Sequence, residues 1–289
     1  YIKNKVKIFS IGNTEDLTYP YKNLGNNTSI IKDIVSENHE ISKQIMKSKK
    51  PMFIIGESAL YGNSGQYIFE SLKFFLKESN FINKEWNGLN ILSQQASRVG
   101  AIDLGVYSIK KGNNFVFFDN ILNDHFKFIY LLGADNFNFT KKDKFVVYQG
   151  SHGDKGAEIA DVILPGAAYT EKNGSFVNLE GKSQMAYKAS YPPGDAKEDW
   201  EIFKNISKVM KKDLDFDNLN DLRLKMNQDI EKRIKNIDAN IEVNFIDDVI
   251  NIKPFDYYYT NPIARSSKTM NDCREIAKQS MFNKINKAS

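Results

Sequence analysis

Only one cysteine, Cys273, occurs in the 289 residues. A single thiol makes no internal disulfide and supplies no iron–sulfur ligand set. The three histidines, His39, His125 and His152, are far apart, and no H-x-x-x-H or H-E-x-x-H spacing exists, which argues against a zinc site of the usual kinds. No apolar run approaches the roughly 18 residues of a membrane helix. The best of them, Phe126–Leu132, is interrupted by Lys127. A net charge of only +4 gives no basic field for nucleic acid. Arginine is scarce too, 5 of the 40 basic residues, whereas asparagine reaches 31. Lys and Asn have A-rich codons, so the bias reads as an AT-rich coding sequence. What remains, 41% hydrophobic and 26% charged, is ordinary enough to exclude a disordered or fibrous chain.

Over the first 190 residues short apolar runs alternate with helical patterns. Val6–Ile11 reads as a strand ending at Gly12, and Glu40–Lys50 as a helix with Ile41 and Ile45 on one face. Pro51–Gly56 reads as a strand buried on both faces. Ser64–Ser79 places Ile68, Leu72, Phe75 and Leu76 on one helical stripe. Leu89–Leu92, Phe126–Leu132, Phe145–Tyr148 and Asp161–Leu164 complete the strands, the last expected to be buried and ended by Pro165. Such alternation predicts an α/β fold with a mostly parallel sheet and flanking helices over residues 1–194. Past Pro192-Pro193-Gly194 the pattern turns helical. Asp195 and Glu198 have capping-box spacing, with Trp200, Phe203, Ile206 and Met210 as the apolar face of the helix that follows. Leu219, Leu222, Met226, Ile230 and Ile234 mark a second helix, and from about Asn236 the chain reads as an extended tail. Residues 195–289 therefore form a second, helical and extended part.

Ligands of α/β sheets bind beyond the carboxyl ends of strands. Gly56-Glu57-Ser58, Gly133-Ala134-Asp135 and Gly150–Gly156 fall there, yet none matches G-x-G-x-x-G or G-x-x-x-x-G-K-[ST]. They read as tight strand-to-helix turns. His152 and Asp154 could be drawn as a base with its orienting carboxylate, but two residues apart on a loop, with no nucleophile placed beside them, they make no triad. Ser58 and Ser151 lie outside any G-x-S-x-G elbow, and nothing in the sequence around Cys273 activates its thiol. Tyr257-Tyr258-Tyr259, lacking a basic patch, suits an interface anchor better than base stacking. No catalytic, cofactor-binding or metal-ligating residue is assigned.

A longer signature lies between Tyr148 and Trp200: Tyr148-Gln149-Gly150-Ser151-His152-Gly153-Asp154, Ile159–Lys172, Gly174, Val177-Asn178, Glu180–Gln184, Pro192-Pro193-Gly194 and Glu198-Asp199-Trp200. With Asp16–Tyr19, Lys50-Pro51-Met52, Ser58-Ala59-Leu60, Leu131–Asp135 and Ile263–Met270, it closely resembles the C-terminal, molybdopterin-oxidoreductase-like part of the large 75-kDa iron–sulfur subunit of respiratory complex I. The resemblance implies a non-catalytic structural module of the peripheral arm, supporting electron transfer from NADH to ubiquinone. It implies no cofactor in this chain, iron–sulfur clusters in a separate N-terminal part, and FMN in a partner subunit. The expected partners are that N-terminal part and the flavoprotein subunits, with Phe255 and Tyr257–Tyr259 as docking anchors and missing sheet neighbours supplied by another chain. A fragment, separately encoded or cut from a longer subunit, is the simplest account of the length. The composition suits an organelle genome or a low-GC bacterium. The implied location is the matrix side of the mitochondrial inner membrane, with the cytoplasmic face of a bacterial inner membrane as the alternative. Two other readings stay open: the C-terminal part of an active molybdopterin oxidoreductase, and a free-standing nucleotide-binding α/β protein.

Overall fold

The computed structural model describes residues 6–12, 17–106, 110–111, 114–115, 126–136, 139–234, 243–250 and 256–288. His125, Phe255 and the start of the tail at Asn236 lie outside them. The chain divides into two compact units, one of Tyr1–Arg98 with Asn236–Phe255, the other of Val99–Lys235 with Asp256–Ser289.

In the first unit β1 (Phe9–Ser10) pairs in parallel with β2 (Lys22–Asn23). Helix α1 (Thr28–Val35), to which the sequence reading assigned no element, starts at Asn27, whose side chain accepts the Ser29 N–H at 2.7 Å. Its Ile31 and Ile34 are buried. Helix α2 is a single turn and a half, Ser42–Met46, where Glu40–Lys50 was expected. Strand β3 (Phe53–Gly56) runs parallel to β4 (Leu89–Leu92). Burial of β3 on both faces is not what the structure has: Ile55 is buried while Ile54 is 56% exposed. Helix α3 (Gly65–Glu78) buries all four expected stripe residues, Ile68, Leu72, Phe75 and Leu76. The period of two in β3 sends Phe53 and Ile55 into the clusters with α1 and α3 and Ile54 to the opposite face. Ile31, Ile55, Ile68 and Leu72 share one core cluster with Ile250.

Ile250 belongs to a segment that returns from the far end of the chain. Residues 243–250 cross α1 as a strap: Thr28 N donates to Asp248 O at 3.0 Å, Ile250 N to Asn26 O at 2.8 Å, and Thr28 Oγ1 to Ile246 O at 2.7 Å. Ser64 Oγ donates to Asp248 Oδ2 at 3.2 Å, and the Phe245 and Tyr67 rings meet edge to face at 5.2 Å. Each polar group is satisfied as apolar surface closes over the core. For these residues the expected extended tail is what is found.

The second unit holds α4 (Arg98–Asp103), whose first residue belongs to the other unit, and the short antiparallel pair β5 (Lys110–Lys111) and β6 (Asn114–Phe115). Its main sheet is parallel, in the order β7 (Phe128–Leu132), β8 (Phe145–Gly150), β9 (Val162–Pro165). Ile129, Leu131, Val146 and Tyr148 point to one face and pack with Phe139, Ala157 and Ile159, which is the period of two that strands impose. The one-turn helix α5 (Lys155–Glu158) follows β8. Strand β9 is not buried as expected; Val162 and Ile163 are 39% and 55% exposed, because among the described residues its only strand partner is β8, and on the other side Lys197 N–H meets only its last carbonyl, Pro165 O, at 3.2 Å. The hairpin β10 (Gly174–Val177) and β11 (Ser183–Ala186) comes next.

Helix α6 (Asp199–Val209) begins three residues later than the expected capping box. Its N-cap is Glu198, whose backbone N–H is accepted by the Glu201 carboxylate at 3.2 Å. Trp200, Phe203 and Ile206 are half-buried, but Met210, expected on that face, lies past the end and is 61% exposed. The buried positions are Ile202, Lys204 and Ser207; Lys204 reaches Asp213 Oδ1 and Leu214 O, each at 2.8 Å. Helix α7 (Leu219–Ile234) matches its expected span. Beyond residue 256 the expected extended tail is replaced by a short 3-10 turn, Tyr257–Tyr259, then α8 (Pro262–Ser266) and α9 (Lys268–Ala288). Pro262 at the first helical position, with the Asn261 side chain accepting Ala264 N–H at 2.9 Å, starts a helix rather than breaking one. Among the described residues no helix is long and apolar enough to cross a membrane.

Candidate functional site

The candidate crevice lies at the carboxyl end of β7–β9, and β8 organises it. Tyr148 and Gln149 are neighbours in one strand, so they point to opposite faces of the sheet, and both are essentially sealed from solvent. Each gathers its own polar group.

On one face the Tyr148 hydroxyl meets the Asp135 carboxylate and the His152 carbonyl, the latter at 2.7 Å. With a single proton it donates to one of them at a time, and the carboxylate is the stronger acceptor. Burial first, then the bond to Asp135, pushes the phenol well above the ordinary tyrosine range. Arg265 of α8 completes the group: its Nε donates to Asp154 Oδ2 at 2.7 Å and its Nη2 to Asp135 Oδ2 at 3.2 Å. Asp154 also caps α5, accepting Lys155 N–H through Oδ1 at 2.8 Å. Two glycines of the loop are required by this packing. A Cβ at Gly150 would lie 2.2 Å from the Tyr148 hydroxyl, and one at Gly156 would lie 2.8 Å from Ala134 O.

On the other face Gln149 Nε2 donates to Asp199 Oδ1 at 2.8 Å, and its Oε1 accepts the Tyr130 hydroxyl. Lys172 pairs with the second oxygen of Asp199. Burial, then the Asp199 charge, raises the Tyr130 phenol. The Tyr130 ring rests on Phe203 of α6 at 5.5 Å between centroids. Gly166 keeps the approach open, since a Cβ there would come within 3.3 Å of Asp199 Oδ1. Replacing Gln149 with Leu keeps the volume but strips Tyr130 and Asp199 of a buried partner. The urea midpoint should fall by the equivalent of about 2–3 kcal/mol.

The remaining signature residues also bond locally. Asp161 accepts Val146 N–H at 2.8 Å and pairs with Lys141 at 2.5 Å. Glu171 accepts Ala168 N–H at 3.0 Å. Asn178 Oδ1 accepts Glu180 and Lys182 N–H at 3.0 and 2.9 Å, closing the β10–β11 turn in which Gly181 takes φ 78°. Gly174 opens β10.

His152 and Asp154 do not form a base–carboxylate pair: His152 Nδ1 faces Ser151 Oγ at 2.9 Å, and the Asp154 oxygens are held by Arg265 and Lys155. Ser58 lies in a 3-10 turn after β3, in the other unit. Cys273 is exposed on α9 rather than on an extended tail. Of the tyrosine run, Tyr257 is 75% exposed, whereas Tyr259 bonds Asn271 and stacks under Arg274 at 4.3 Å. Among the described residues no group of three or more His, Cys, Asp or Glu is arranged to hold a metal ion. Sequence reasoning named Asp135, Asp154 and the segment holding Arg265 separately but missed that they meet; the signal was that a rare arginine stands in the tail.

The profile of the family described as molybdopterin oxidoreductase matches residues 1–209, and that of the C-terminal region of the NADH-ubiquinone oxidoreductase G subunit matches residues 239–273. Among curated proteins, the NADH-ubiquinone oxidoreductase 75 kDa subunit of Reclinomonas americana is 42% identical over 293 residues, 96% of this chain and 42% of that protein. The NADH-quinone oxidoreductase G subunit of Rickettsia typhi is 38% identical over 283 residues, 95% and 40% respectively. That of Rickettsia prowazekii is 38% identical over 279 residues, 93% and 40%. The chain thus spans about two-fifths of the length of the curated relatives it matches. With a match over residues 1–209, it belongs to the molybdopterin oxidoreductase family, and its relatives include the 75 kDa and G subunits of NADH–quinone oxidoreductases.

Proposed function

We propose that the chain is a non-catalytic structural module in the peripheral arm of an NADH–quinone oxidoreductase of the complex I type. In this reading it contacts the iron–sulfur-bearing part of its own subunit and the flavoprotein subunits, the clusters and FMN belong to those partners, and the chain supplies no catalytic, cofactor-binding or metal-binding residue. It sits on the matrix side of the mitochondrial inner membrane, or on the matching cytoplasmic face in a bacterium.

The observation that carries the reading is how the crevice is filled. A phosphorylated pterin is an anion and needs N–H groups and cations aimed into its site. On the Tyr148 face of the carboxyl ends of β7 and β8 two carboxylates, Asp135 and Asp154, are held by one arginine of the same chain, and on the Gln149 face the cation Lys172 is already paired with Asp199. The Gly150 and Gly156 positions are backed by Tyr148 and by the Ala134 carbonyl. These residues do not fit the group. Docking to neighbours is supported by apolar side chains on open sheet faces. Ile54 and Leu92 on β3–β4, and the stacked Phe128 and Phe145 on β7–β8, are all about half exposed.

Elemental analysis of the complex purified with this chain should find neither molybdenum nor tungsten in stoichiometric amount on it; finding either overturns the non-catalytic reading. Truncation at Ile252, which removes α8 and α9, should weaken assembly of the arm on native gels, and unchanged assembly would count against the docking role.

A further inference from the structure

Residues 239–273, which match the C-terminal profile of the G subunits, include both the strap of the first unit and the arginine of the second. The second half asks for an explanation, because a tail helix spends a buried arginine in a crevice that parallel sheets reserve for ligands. We infer that Asp135, Asp154 and Tyr148 form a guanidinium-specific cradle, and that Arg265 is its built-in occupant, a latch by which the tail holds itself in the ligand place of the fold. The inference rests on the reading above that the crevice carries no cofactor.

Three observations carry it. First, the cradle is complete except for one planar cation. The second oxygen of Asp135 is taken by Tyr148 and that of Asp154 by Lys155 N–H, so each carboxylate presents one oxygen inward. Arg265 answers with two different nitrogens, one for each. A fork of fixed geometry does this; a lysine ammonium is a single point of charge and does not reach both with the same alignment. Second, the groups are largely withdrawn from water, the side chains of Asp135, Arg265 and Asp154 being 6%, 16% and 24% exposed. Removing the cation leaves two neighbouring carboxylates without compensation. Third, the chain uses arginine sparingly, 5 of 40 basic residues. Three of those five, Arg98, Arg265 and Arg274, sit on carboxylates. Arg265 and Arg274 each reach two carboxylates through two different nitrogens.

The tail is also shaped to deliver Arg265. Arg274 Nε donates to Asp256 Oδ2 at 2.6 Å and lies over the Tyr259 ring, and Tyr259 bonds Asn271. Residues 256–274 thus form a self-braced hook with Arg265 at its bend.

The test is amide hydrogen exchange on the full chain, isolated in the assembly in which it occurs. In Arg265→Ala the amides of residues 256–274 should exchange at least about tenfold faster, as expected when a buried pair loses one partner. Ethylguanidinium at sub-denaturing concentration should restore most of the protection, and ethylammonium should not. Arg265→Lys should fall between the alanine variant and the wild type. Wild-type exchange in Arg265→Ala, equal rescue by both amines, or full protection in Arg265→Lys overturns the latch. If the alanine variant does not accumulate, Asp154→Asn is read instead. It leaves Arg265 one carboxylate and should give a smaller rise confined to the same amides; no rise overturns the proposal. Molybdenum or tungsten in the same wild-type preparations would overturn the cofactor-free reading, a result distinguishable from failure of the rescue.

Discussion

Replacing Tyr148 with Ala should cost the second unit about 4 kcal/mol, the range for deleting a buried aromatic ring, and lower its melting temperature by about 10 °C. The ring is 1% exposed and packs with Ile129, Leu131, Phe139 and Val146, so nothing nearby can collapse into the space without moving the sheet. Tyr148→Phe separates the two roles of the residue. It keeps the ring and loses only the hydroxyl, which meets Asp135 and the His152 carbonyl; Asp135 retains Arg265, so about 1 kcal/mol is expected at neutral pH. The two should also differ in alkali. The folded-state phenol is held above its unfolded value near 10. Above that pH the unfolded chain releases a proton that the folded chain keeps, so stability is fully present below about pH 10 and falls as pH rises. Removing the hydroxyl should flatten that fall by up to about 1.4 kcal/mol per pH unit. Urea titrations of both variants from neutral pH to pH 11 would measure it; an unchanged alkaline slope in Tyr148→Phe would refute the burial argument.

The other large effect is expected far from the signature motifs. Ile250→Asp should unfold the first unit or cost it at least about 4 kcal/mol, because the new carboxylate would enter a cluster of Ile31, Ile55, Ile68 and Leu72 with no cation among them. Val249→Asp is the control: that side chain is 43% exposed, and the same charge one residue earlier should change stability by less than about 0.5 kcal/mol. Exchange protection of the α3 amides gives the comparison directly. Equal behaviour of the two variants would mean that the strap only lies on the unit and does not complete its core.

The contrast between these sites explains what could be read in advance. The α3 stripe and most of the apolar strand runs are local patterns, repeated at the period of one element, and they came out in place, whereas Val6–Ile11 yields only the two-residue β1. Gln149, Lys172, Asp199 and the glycines of the signature were noticed as a string, but their meeting across the end of β8 is a tertiary fact. Errors of environment have a similar origin. The apolar composition of Asp161–Leu164 is that of a buried strand, and only the strand order reveals an edge. The capping box failed by one frame because Asp195 and Glu198, and Glu198 and Glu201, have the same spacing, and only the second pair abuts a helix. Arg265 was out of reach because its carboxylates lie 111 and 130 residues away. A tail rich in Ser, Lys and Asn carries no hydrophobic rhythm to announce that one of its side chains is buried.

The strap has a consequence for the order in which the protein can be made. The partners Thr28 and Asp248 are separated by 220 residues. The first unit takes Ile31, Ile55 and Ile68 from before the 99–235 stretch of the second unit and Ile250 from after it, so its core closes only when Ile250 arrives. Until then Ile31, Ile68 and Leu72 lack one wall of their cluster while the second unit is being translated in between. Such a unit folds late rather than piece by piece, and the apolar surface of α1 and α3 stays open while residues 99–250 are translated. Ribosome-bound chains stopped before residue 243 would therefore be the form most dependent on chaperones.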